Sequence, residues 1–166
     1  MCGGMKPGRT LKAVIPGGSS VPIMTAAETE DCCLDYEGVV ARGSMLGSAG
    51  MIVMDDSTDM VYQIWRLARF YAHESCAQCT QCREGTAWTT KILERILAGK
   101  GKAADLDLLL SLSENMTGKT ICVLSDSCAA PIVSGIAKFR SEFDAYLSGA
   151  RQPALAPGGG EPATSD

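Results

Sequence analysis

Three cysteines, Cys76, Cys79 and Cys82, stand at C-x2-C-x2-C spacing, and a fourth, Cys122, lies far downstream in the segment Thr120-Ile121-Cys122-Val123-Leu124. Three thiolates so spaced can wrap the corners of one iron–sulfur cubane, and a remote fourth closes it. The pattern predicts one 4Fe-4S cluster held by Cys76, Cys79, Cys82 and Cys122. Structural zinc is the weaker alternative, because zinc sites usually draw their ligands in two separated pairs. A thioredoxin-like C-x-x-C pair leaves the third cysteine unexplained and lacks a surrounding βαβ pattern. The four-cysteine ferredoxin run is broken, since Arg83-Glu84-Gly85 occupies the place of its last cysteine. The cluster is therefore expected to be single and completed by tertiary structure.

Around this constellation stand residues that would modulate it. Arg83 directly follows Cys82, so a guanidinium there would donate to cluster sulfurs and favour the reduced, more negative state, a tuning role. His73, the only histidine, is expected at a helix end or a partner contact rather than as a ligand. The other four of the eight cysteines, Cys2, Cys32, Cys33 and Cys128, show no ligand spacing and read as reduced thiols packed as small hydrophobes. Neighbouring Cα atoms sit too close for Cys32 and Cys33 to bridge easily. Competing chemistries find no motif. Gly118-Lys119-Thr120 imitates the end of a phosphate-binding loop, but Ser113 stands where that loop needs glycine, and no G-x-G-x-x-G occurs. No serine lies in a nucleophile elbow.

The elements that must carry these residues follow from periodicity. Leu11 to Ile15 is a β-prone run stopped by Pro16-Gly17-Gly18-Ser19-Ser20, and further apolar runs at Gly38 to Ala41 and Met51 to Met54 read as strands. The period then changes. A helix is expected from Ser57 to His73 behind Asp56 and Ser57 as capping candidates, with Val61, Ile64, Trp65, Ala68 and Tyr71 on its apolar face. Others are expected from Thr86, as N-cap, to Ala98, from about Ala103 to Asn115, and from Pro131 to Leu147. Trp65 and Trp88 are expected as core anchors. The fold class is accordingly α+β, a small β-rich module (1–56) followed by a four-helix bundle (57–150) and a flexible tail (151–166).

The 166 residues suffice for one ordinary domain or two small ones. With 46% hydrophobic and 20% charged residues, the composition is that of a soluble globular protein. Fifteen Lys and Arg against nineteen Asp and Glu leave a net charge of −4, which argues against nucleic acid as a partner. No apolar stretch is long enough to span a bilayer and no secretory signal opens the chain, so a cytoplasmic location without membrane insertion is expected.

The stretch Phe70-Tyr71-Ala72-His73-Glu74-Ser75-Cys76-Ala77-Gln78-Cys79-Thr80-Gln81-Cys82-Arg83-Glu84-Gly85 closely resembles the flavoprotein (NADH-binding) subunit of respiratory complex I. Ala13 to Ser20 and Gly43 to Gly47 resemble that family's β-grasp module, and Gly118 to Cys122 its fourth-ligand segment, so that roughly residues 10 to 147 are covered. The resemblance implies that Cys76, Cys79, Cys82 and Cys122 ligate the 4Fe-4S cluster that takes electrons from FMN. It implies an electron-transfer piece of an NADH:quinone oxidoreductase, with FMN and NAD met only through a missing N-terminal domain and the β-grasp module only partial. The implied partners are that flavin/NADH-binding domain, a small 2Fe-2S subunit and the large iron–sulfur subunit, at the periphery of the inner membrane. NAD-reducing hydrogenases and formate dehydrogenases share the pattern, and a metal-stabilised scaffold is the alternative of another class. The family usually has Gly, Pro, Gly and Trp where Ala77, Gln81, Ser125 and Ala130 stand.

Overall fold

A computed structural model describes residues 3–154. Among these residues, three strands form one sheet in the order β2-β1-β3, accompanied by seven helices. β1 (Leu11–Ile15) is central, antiparallel to both β2 (Met24–Thr25) and β3 (Ile52–Asp55). The turn after β1 requires Gly18 at φ +86, the left-handed region that glycine enters freely. Gly17 is required for another reason: a Cβ there would collide with the backbone carbonyls of Met45 and Leu46. The loop of residues 45–47 is thereby laid directly against the end of β1.

α1 (Ala26–Thr29) is a single turn closed by a capping box, in which Thr25 and Glu28 satisfy each other's backbone N–H groups. The run Gly38 to Ala41, expected as a strand, is instead part of α2 (Tyr36–Ala41). The Asp35 carboxylate accepts the Gly38 N–H and starts the helix, which buries Val39 while Val40 stays in solvent.

The longer helices are α3 (Met60–Glu74), α4 (Thr80–Leu97), α5 (Ala104–Met116), α6 (Leu124–Lys138) and α7 (Arg140–Leu147). α3 packs on α4 and α6, and α5 packs on the same two, while α7 closes the end against α3, α4 and α6. Four expectations need correction. The cap of α3 is Asp59, whose carboxylate accepts the Tyr62 N–H, rather than Asp56 or Ser57. α4 starts six residues before Thr86, and Thr86 is buried inside it, donating its hydroxyl to the Cys82 carbonyl. Pro131 lies within α6 rather than at its start. The helix expected to run through to Leu147 is two helices that break at Phe139.

Sheet and helices bury their apolar faces in one cluster that includes Ala13, Ile15 and Ile23 beside Ile64, Trp65, Leu93, Ile132 and Phe143. Polar bonds join the same elements: the Ile23 N–H donates to Ser134 Oγ at 2.9 Å, and Lys138 Nζ donates to Ile23 O and Glu28 Oε2, both at 2.8 Å. Trp65 is fully buried as expected, with Nε1 donating to Glu94 Oε1 at 3.4 Å, whereas Trp88 is 52% exposed and anchors no core. The start of the segment expected as a flexible tail is docked. Arg151 pairs with Asp59 and Glu142 and lies over the Tyr146 ring, and the Ala154 N–H donates to Leu97 O. The remainder of that segment, and Cys2, lie outside the described residues.

Candidate metal centre

α3 ends at Glu74 and α4 begins at Thr80, so Cys76 and Cys79 fall in the loop between them, and Cys82 in the first turn of α4. Cys79 is the residue that caps α4, with no side-chain cap bond, which leaves its sulfur uncommitted to the helix. Within the loop Ala77 takes φ +64, a conformation rare for a residue with a Cβ. The Arg83 guanidinium spans the loop, donating from Nη1 to Ala77 O at 2.8 Å and from Nε to Glu84 Oε1 at 2.9 Å. Cys82 is buried and Cys79 half-buried, while Cys76 faces solvent.

The fourth cysteine comes from the connection between α5 and α6. The Ile121 N–H donates to Cys79 Sγ at 3.4 Å, which brings this connection onto the cysteine loop. Its shape is held by hydroxyls: Thr120 Oγ1 donates to Cys122 O at 2.8 Å and lies 2.6 Å from Oγ of the buried Ser125. The Asp126 carboxylate accepts the Gly118 N–H at 2.9 Å, fixing the other end of the same connection. Cys122 itself is exposed, flanked by Ile121 and Val123, which are 84% and 73% exposed.

The structure thus brings the two cysteine-bearing segments into contact through one sulfur. Among the described residues, no three His, Cys, Asp or Glu side chains converge as a ready metal-binding group. Cys128 is fully buried on α6, and burial, with Cys82 adding to it, pushes its thiol up to about 12. Such a thiol is inert packing, in keeping with its sequence reading. Cys33 is exposed and Cys32 only half-buried, so the expected packing as small hydrophobes does not hold for Cys33. His73 is at the end of α3, solvent-exposed, and within 3.0 Å of Glu74.

A serine hydroxyl beside one of the sulfurs escaped the sequence reading. Ser75 Oγ lies 3.3 Å from Cys82 Sγ, and only the adjacency of Ser75 to Cys76 could have signalled it. Chemically, the donor set is four thiols, two from the α3–α4 loop, one from the first turn of α4 and one from the α5–α6 connection, with an N–H donating to one sulfur and a hydroxyl beside another. Soft thiolates with sulfur-directed donors fit an iron–sulfur cluster better than a hard cation.

The family model described as the NADH-ubiquinone oxidoreductase-F iron-sulfur binding region matches residues 62–146, from α3 through α7. The chain belongs to this family. One of the F-type subunits of NADH-quinone oxidoreductase in Rhizobium meliloti (strain 1021) is 48% identical over 144 residues, which are 86% of this chain and 33% of that protein. The F-type NADH-quinone oxidoreductase subunit in Streptomyces coelicolor is 48% identical over 149 residues, 90% of this chain and 33% of that one. The chain thus spans about a third of the length of these curated relatives. A solved NAD+-reducing NiFe hydrogenase in its H2-reduced state is similar over 83% of this chain and 23% of its own, with a TM-score of 0.75 and 33% identity.

Proposed function

We propose that this chain is the electron-relaying portion of an NADH:quinone oxidoreductase flavoprotein subunit, in which Cys76, Cys79, Cys82 and Cys122 hold a 4Fe-4S cluster. The observation that carries the proposal is the Ile121 N–H on Cys79 Sγ, because it joins the fourth-cysteine segment to the triplet loop. A cluster held there takes up one electron at a time and passes it on. The protein's part is to position the sulfurs. The α3–α4 loop and the first turn of α4 present three of them, Ala77 and Arg83 fix the loop's path, and the Thr120–Ser125 pair fixes the path that presents Cys122. Arg83 is read as the tuning residue, its positive charge one residue from Cys82.

In this reading the sheet with α1 is part of a β-grasp module, and α3 to α6 are the four-helix bundle that carries the cluster. FMN and NAD are handled by a flavin/NADH-binding domain, and the onward acceptors are a 2Fe-2S subunit and a large iron–sulfur subunit. The whole sits on the cytoplasmic periphery of the inner membrane. Supporting this, no helix among the described residues is long and apolar enough to cross a membrane. The likeness to an NAD+-reducing hydrogenase favours a second reading, the same relay within a hydrogenase or formate dehydrogenase.

The test is anaerobic reconstitution of the chain with iron and sulfide, followed by metal analysis and EPR. About four irons per chain and a reduced-state signal of a single 4Fe-4S centre are expected. A chain that binds one zinc and no cluster would refute the relay and leave a metal-stabilised scaffold.

A further inference from the structure

Ser75 caps the C-terminus of α3 at φ −64, ψ 121, an extended turn that places its side chain over the cysteine loop. Its Oγ is 3.3 Å from Cys82 Sγ and accepts the Ala77 N–H at 3.4 Å. A hydroxyl has one proton and two lone pairs. With the Ala77 N–H on the oxygen, the proton is left for the sulfur. Cys82 is only 7% exposed, so water competes weakly for that sulfur. The position of the Ala77 N–H is itself fixed, because Arg83 holds the Ala77 carbonyl while the residue stands at φ +64. Serine, loop and arginine therefore form one hydrogen-bonded unit ending on a sulfur.

We propose that Ser75 is a positioning residue which donates its hydroxyl proton to the Cys82 sulfur and thereby raises the reduction potential of the cluster. The proposal rests on the reading of Cys82 as a ligand. A ligating cysteine is a thiolate and carries no proton, which fixes the direction of the bond from oxygen to sulfur. One-electron reduction adds negative charge that is shared by the sulfurs, so the bond strengthens in the reduced state. No bond breaks and no proton leaves the oxygen; the bond acts only through the difference between the two redox states.

Ser75→Ala, Ser75→Thr and Ser75→Val, each reconstituted anaerobically beside the parent chain, test this through iron content and EPR-monitored redox titration. Threonine and valine have nearly the same shape and differ in the hydroxyl. We expect full clusters throughout, a parent-like potential in Ser75→Thr, and a reduction equilibrium about threefold less favourable in Ser75→Ala and Ser75→Val. At about 59 mV per tenfold for one electron, that is roughly 28 mV downward. If alanine and valine lose the cluster while threonine keeps it with a parent-like potential, the hydroxyl is again shown to be what the site uses. Equal potentials in all the variants would overturn the proposal, as would loss of the cluster from all three, since the loop would then require serine's size. A parent chain that takes up no cluster would instead overturn the underlying relay.

Discussion

The guanidinium of Arg83 divides itself between the Ala77 carbonyl and the Glu84 carboxylate, so its charge stands beside the cysteine loop partly offset by a neighbour. A fixed cation near a cluster stabilises the reduced form, which is more negative by one charge. Arg83→Leu is therefore expected to lower the midpoint potential by some tens of millivolts, with about 59 mV corresponding to a tenfold change in equilibrium constant. EPR-monitored titration checks this, and an unchanged potential would mean that Glu84 cancels the charge. At this scale the sequence displays residue type and spacing, as in the cysteine triplet. It was silent where the role depends on direction: nothing in the order of residues tells that Arg83 reaches back to Ala77, or that Ser75 turns towards Cys82.

Between elements, an ion pair with a buried carboxylate joins α4 to the start of α5. Arg95 Nε donates to Asp105 Oδ2 at 3.0 Å, its Nη2 donates to Oδ1, and the Lys102 N–H adds a bond of 2.9 Å, with Asp105 only 3% exposed. Burial alone would raise the Asp105 carboxyl, but these bonds from Arg95 and Lys102 outweigh it and hold the group below its ordinary value of 3.8. A carboxyl so depressed contributes stability that is present above its unfolded-state pKa and is lost as pH falls through the folded value. Asp105→Asn is expected to cost about 2 kcal/mol at neutral pH and to flatten the loss of stability below about pH 4, as read from urea unfolding at pH 7 and pH 3. A variant with parental stability at pH 7 would show the pair to be incidental.

Helix starts were the least legible elements, and for a physical reason. Neither α4 nor α6 has a side-chain cap: Cys79 and Val123 stand at the capping positions where Ser, Thr, Asp or Asn would mark a start, and both starts adjoin the segments that present cysteine. The interior Thr86 and Pro131 instead imitate helix starts. α3 and α5, whose apolar faces repeat strongly, were placed within a few residues, as was β1. α2 was mistaken for a strand because two adjacent valines outweighed the Asp35 cap.

For the whole molecule, sheet and helices share one core, and Arg151 ties the chain's later residues to the cap of α3 through Asp59 and to the first turn of α7 through Glu142. The segments read from sequence as separate modules are therefore packed together. No glycine-rich phosphate cradle accompanies this fold, so FMN and NADH are expected not to bind these 166 residues by themselves. Titration calorimetry with each cofactor checks that expectation, and micromolar binding of either would contradict it.

The proposed relay turns on Cys122, rather than Cys128, being the fourth ligand. Iron and sulfide content, with the reduced-state EPR signal, should be measured for Cys122→Ser and Cys128→Ser after identical anaerobic reconstitution. Loss of the intact 4Fe-4S centre from Cys122→Ser, with a parental complement and signal in Cys128→Ser, is the predicted result. A full cluster in Cys122→Ser together with its loss from Cys128→Ser would contradict the assignment.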